Sequence, residues 1–327
     1  MSKQHIAYFD FLRGIAIMMV VGIHTFPKCS WDNANDYILI TLRQLLNCAV
    51  PLFLALSAFF LAKKSFFHSD DIRSFWKKQI PKVYLPCLVW SIPLYLLAVK
   101  SENNPMIETI KLFVCGYSIY YFIALIIQCY LLLPLLTYVN KLGGVISALV
   151  SMTCISLYLY SGVKLPLLLY AGPFCVWIMF FCQGILMGKT ERRYPVGVLI
   201  ASLVFSLILQ LIECYYLCGI RGDGFGIKAS AFLYSFIIIL IFFSRRIQIA
   251  YESNSPNIIS SIIEYVGKIS FGIYLIHMYI VKVFSKFIGI DNWGIKWLLV
   301  MMFSMAVIYS MKKLLPNKIT SKYLGFL

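Results

Sequence analysis

The chain has 327 residues, 61% of them hydrophobic and 13% charged, with a mean hydropathy of +0.83. A composition this apolar leaves too little polar surface for a soluble domain, so the chain is an integral membrane protein. The net charge of +16 is met by basic loops gathered on one face of a bilayer, which sets nucleic-acid binding aside. The ten cysteines are scattered singly with no CxxC pair, and they are expected as small buried hydrophobes with no metal site.

In chain order, apolar runs long enough to cross ~30 Å of hydrocarbon fall at about 7–27, 45–62, 83–99, 118–139, 144–161, 166–188, 194–218, 228–244, 262–284 and 294–315. They predict an all-α, polytopic transmembrane bundle of about ten helices forming one domain over 1–327. No cleavable leader is expected, because Phe26-Pro27-Lys28 offers no small-residue cleavage site after the first run. With the N-terminus in the cytoplasm, Lys and Arg are almost two to one on the cytoplasmic side, most densely in the second connection, KKSFFHSDDIRSFWKKQIPK. Both termini are therefore expected in the cytoplasm.

The first run, YFDFLRGIAIMMVVGIHTF from Tyr8 to Phe26, carries Asp10, Arg13 and His24. Ionisable groups inside a membrane helix are costly and mark function. Arg13 and His24 lie eleven residues apart, which puts them on one helix face with about 16 Å of rise between them. Asp10 lies one turn from Arg13 and is expected to pair with it and position it. Lys77, Lys78 and Lys82 stand where the second connection meets the membrane, either as anchors on anionic headgroups or as a site for a phosphorylated ligand. Trp76 and Tyr84 lie beside them. On the fourth run Tyr121 and Gln128 share a face that Tyr130 does not, and they are candidates to hydrogen-bond a polar substrate. Glu213 lies deep in the seventh run, as a neutral packing group or a substrate contact. His277 lies near the middle of the ninth, between Lys268 and Lys282, as a packing hydrogen bond or a substrate-binding group.

These residues resemble the bacterial integral-membrane acyltransferase family 3. The resemblance rests on Asp10-Phe11-Leu12-Arg13-Gly14-Ile15-Ala16 followed by His24, on VPLFLALSAFFL at Val50 to Leu61, on FWKKQIPKVYLP at Phe75 to Pro86, and on SFGIYLIHMYI at Ser270 to Ile280. Two departures stand out. The family's basic segment before the third helix usually carries arginines three residues apart, where this chain has lysines; a forked contact to phosphate becomes a point-charge contact. Its second-helix element usually reads Ser-Gly, where this chain has Ser57-Ala58.

The resemblance implies an O-acyltransferase of a bacterial inner membrane that moves an acyl group, acetyl above all, from acyl-CoA to a hydroxyl of a lipid-linked or polymeric surface saccharide. His24 is then the catalytic base or a transient acyl carrier, Arg13 a contact to donor oxygens, and Lys77, Lys78 and Lys82 the cradle for coenzyme A phosphates. A carrier or exporter of a polyprenol-linked sugar, with the same charges along its path, stays open as an alternative, as does a structural subunit of a polysaccharide-assembly complex.

Overall fold

The computed structural model describes residues 3–101, 104–190, 194–254, 256–290 and 292–326, and among these every regular element is helical. In chain order they are α1 (Lys3–Thr25), α2 (Tyr37–Leu45), α3 (Ala49–Leu61), α4 (Ser69–Lys100), α5 (Pro105–Phe113), α6 (Tyr121–Leu136), α7 (Lys141–Tyr160) and α8 (Leu167–Ala171). There follow α9 (Phe174–Lys189), α10 (Val196–Arg221), α11 (Ala229–Phe242), α12 (Arg245–Asn254), α13 (Ile258–Lys268), α14 (Ser270–Phe287), α15 (Trp293–Leu314) and α16 (Asn317–Lys322). Seven segments are long and apolar enough to cross a membrane, two more candidate spans are bent pairs, and α6 is a shorter apolar helix. Each of the ten runs expected from sequence falls on one of these. The protein is a multi-pass membrane helix bundle.

Three boundaries differ from expectation. The second span starts at Ala34 instead of 45, because α2 and a short 3-10 turn continue α3 outward through Leu61. The third starts at Ser69, where Asp71 accepts from the His68 amide and begins the helix well before its apolar part. The ninth run is broken: α13 and α14 meet at an 80° bend at Ile269.

Backbone groups freed inside the bundle find partners, as an apolar medium requires. Pro134 within α6 lacks the N–H that would bond the Tyr130 carbonyl, and the Trp76 indole donates to that carbonyl at 2.9 Å. Arg221 donates to the carbonyls of Tyr158 and Leu159 in the last turn of α7 and of Val163 just beyond it, where a cation meets the negative end of the helix. Glu213, open as packing group or substrate contact, serves instead at the start of α11. It accepts from the Ser230 amide at 2.7 Å and the Ala229 amide at 3.3 Å, and from the Tyr160 hydroxyl at 2.8 Å.

Small residues set the two closest helix crossings. Gly184 and Gly188 of α9 lie against the Ala55 and Phe59 carbonyls of α3. On α1, Gly14 abuts the Ile263 carbonyl, and Gly267 of α13 abuts the Asp10 carbonyl. Helix α1 is held by α3, α13, α14 and α15 together, so Asp10, Arg13 and His24 face protein and not lipid.

Candidate functional site

A cavity of about 350 Å³ lies inside the bundle, and both Arg13 and His24 line it. The eleven-residue spacing therefore does what a single helix face requires: the two groups share one chamber, with about 16 Å of rise between them. The walls are mainly apolar and aromatic, with Phe53, Phe122, Trp177 and Phe232 from α3, α6, α9 and α11. At one end Arg13 donates to Asp10 at 2.6 Å and lies 4.9 Å over the Phe60 ring. Asp10 is buried and off the cavity wall, so it holds Arg13 from behind.

At the other end His24 makes no hydrogen bond among the described residues; its ring lies 5.4 Å from that of His277. His277 is fully buried and sits outside the cavity lining. Its Nδ1 lies 3.0 Å from the Ile273 carbonyl and 2.9 Å from the Tyr274 carbonyl. Carbonyls only accept, so Nδ1 carries the proton and Nε2 is left bare; Nε2 has no partner among the described residues. Two indoles from the first turns of α15 fix this end of α1: Trp293 Nε1 donates to Gly22 at 3.0 Å and Trp297 Nε1 to Met18 at 2.9 Å.

The other sequence candidates divide. Tyr121 lines the cavity; Gln128 does not. The Gln128 amide donates to the Gly172 carbonyl at 2.9 Å and accepts from the Phe174 amide at 3.1 Å, tying α6 across the break between α8 and α9. Tyr130, expected on the far face, lines the cavity instead, because the wall follows the i, i+4 row of Phe122, Ile126 and Tyr130. Lys77, Lys78 and Lys82 are exposed on α4 and are not part of the lining.

A cation and an amide on the cavity wall were not among the sequence candidates. Arg43 and Asn47 line the chamber together with His24, and Arg43 is 6% exposed. Its NH1 donates to Asn47 Oδ1 at 2.6 Å, and its guanidinium lies 5.9 Å from the Phe26 ring. Asn47 Nδ2 in turn donates to Gln44 Oε1 at 3.0 Å and Gln210 Oε1 at 2.6 Å, and the fully buried Lys228 donates to Gln44 Oε1 at 2.6 Å. The signal was present in sequence as Arg43, Gln44 and Asn47 on one stretch, but that stretch straddled the expected start of the second span at 45, with Arg43 left outside it.

An apolar chamber with an imidazole and two guanidinium groups on its wall thus lies inside a multi-pass bundle. The chain belongs to the acyltransferase 3 family: that family's model, described as an acyltransferase domain, matches residues 6–313. It is also 28% identical over 295 residues to a serine/alanine racemase of Enterococcus gallinarum. That match covers 83% of this chain and 40% of the racemase, so the chain spans less than half the length of this curated relative. No solved structure matches the chain.

Proposed function

We propose that the protein is a membrane O-acyltransferase that moves an acyl group, acetyl in the first instance, from acyl-CoA to a hydroxyl of a lipid-linked or polymeric saccharide. It would work in a bacterial cytoplasmic membrane, with both termini in the cytoplasm. The observation that carries this is one cavity bounded by Arg13 and His24. Family membership supports the reaction class.

A volume of about 350 Å³ is at the small end for a ligand pocket. It suits a narrow, chain-like group and not a nucleotide or an oligosaccharide. The acylated pantetheine arm of coenzyme A has that shape, and extended it reaches on the order of the ~16 Å of rise from Arg13 to His24. The nucleotide stays outside at the Arg13 end, where Lys77, Lys78 and Lys82 draw its phosphates to the cytoplasmic surface by charge. The saccharide hydroxyl meets the thioester at the His24 end, beside Tyr121.

There the hydroxyl oxygen attacks the thioester carbonyl carbon while the His24 imidazole takes the hydroxyl proton. Collapse of the tetrahedral intermediate breaks the carbon–sulfur bond. The imidazolium then returns the proton to the departing thiolate, giving the sugar ester and free coenzyme A. His277 is placed to act through His24, as a positioning group beside its ring.

The test is turnover by the purified protein in detergent with labelled acetyl-CoA and a bacterial lipid-linked saccharide extract. Loss of a positioned base costs about 10²–10⁴ in rate, so His24→Ala should insert and unfold like the wild type while losing ester formation to that degree. Wild-type turnover in His24→Ala, or movement of the saccharide with no acyl turnover, refutes the assignment.

A further inference from the structure

Arg13 and Arg43 line the same cavity, but among the described residues only one of them forms an ion pair. Arg13 pairs with Asp10 at 2.6 Å. Arg43, within the span Ala34–Leu61 and 6% exposed, has no carboxylate within ion-pair distance among the described residues; the hydrogen bond it makes is to the neutral Asn47. A guanidinium does not lose its proton in a protein, and it carries five N–H donors in a planar fork. A buried charge of this kind is tolerated where a partner brings the opposite charge.

The surroundings deepen the deficit. Asn47 is pinned by Gln44 and Gln210 through its amide nitrogen, which aims its oxygen at Arg43 and leaves the rest of the guanidinium to the cavity. The same amide network holds Lys228, a second buried cation, whose ammonium also donates to the Gly224 and Gly226 carbonyls. Of the nearby acids, Glu213 is engaged at the start of α11. Asp223 is exposed, accepts from the Phe225 amide and attracts both cations only from beyond ion-pair distance.

We propose that Arg43, oriented by Asn47, binds an anionic oxygen group, phosphate or carboxylate, carried by the acceptor saccharide next to the hydroxyl that is acylated. This rests on the function proposed above. In that arrangement the phosphates of coenzyme A stay at the Arg13 end, about 16 Å away along α1, so the anion at the His24 end belongs to the other substrate. A charge missing from the resting cavity is met by a group present in the bound ground state; a transient oxyanion does not meet it.

The experiment is thermal unfolding of the full chain in detergent, titrated with N-acetylglucosamine 1-phosphate, N-acetylglucosamine, glucuronate or glucose. At least one charged sugar should raise Tm at concentrations where its neutral counterpart does not, and the responding probe tells phosphate from carboxylate. Arg43→Gln should weaken that apparent affinity about tenfold or more, as loss of a charge-assisted, forked contact does. Asn47→Asp keeps the shape and puts a carboxylate where Asn47 Oδ1 now lies, 2.6 Å from Arg43; it should raise Tm without ligand and abolish the anion response. Equal responses to charged and neutral sugars, a response unchanged in both variants, or inorganic phosphate binding as tightly as the sugar phosphate overturns the proposal. None of these readouts needs turnover, so a protein that binds the anion yet transfers no acyl group refutes the proposed function and leaves the subsite standing. Acylation of neutral sugars with no Arg43-dependent anion effect does the reverse.

Discussion

Replacing Gly267 by alanine strikes the contact on which the Arg13 end of the cavity depends. A Cβ at that position would lie 1.8 Å from the Asp10 carbonyl oxygen, 2.7 Å from its carbon and 2.9 Å from the Gly14 amide nitrogen. All three are backbone atoms, so no side-chain rotation relieves the overlap. Real Cβ atoms stay beyond 3.0 Å from such neighbours, and α13 must therefore move off α1 by more than an ångström. Forced overpacking of this kind costs about 1–3 kcal/mol, and rigid backbone on both sides puts Gly267→Ala toward the upper figure. The displaced turn, residues 10 to 14, holds Arg13 and its Asp10 partner. A misplacement of about 1 Å costs on the order of 10²-fold in rate, so acyl transfer should fall by about that much with the protein still inserted. Tryptophan fluorescence during thermal unfolding in detergent, with labelled acetyl-CoA turnover alongside, checks both numbers. Unchanged stability together with unchanged turnover refutes the claim that this crossing sets the site.

Two further outcomes follow from the same geometry. Trp293→Phe removes the donor to the Gly22 carbonyl while keeping an aromatic ring against Phe26. It should cost about 1 kcal/mol in unfolding measurements and lower kcat more than it raises KM for the donor; no change in either removes the indole from the positioning of His24. Neutralising Lys77, Lys78 and Lys82 together should raise KM for acetyl-CoA at low salt, with the gap to wild type closing as ionic strength rises and the Debye length falls below about 10 Å; equal KM values across salt leave the three lysines as membrane anchors.

The positions of the ten apolar runs were legible because hydrophobic length is the one signal a bilayer imposes everywhere along a chain. The shared face of Arg13 and His24 was equally legible, being a property of one helix. What escaped is what depends on distant partners. Arg43 reads as a loop cation until Gln210 and Lys228, far along the chain, turn the polar stretch before Val50 into a buried network. Glu213 reads as an isolated acid until the first amides of α11 meet it. The 80° bend at Ile269 has no proline to announce it; beyond it α13 packs on α1 through Gly267 against Asp10 and Gly14 against Ile263.

The supports of α1 have a consequence for biosynthesis. Ile263, Gly267, His277, Trp293 and Trp297 all reach this helix from the last quarter of the chain, whereas the Asp10–Arg13 pair forms within three residues. During translation the helix emerges with its own cation already neutralised and can settle in lipid early, but the chamber closes only after the final spans leave the ribosome. Nascent chains stopped near residue 255 are thus inserted and inert, and the imidazole meets its ring partner only near the end of synthesis.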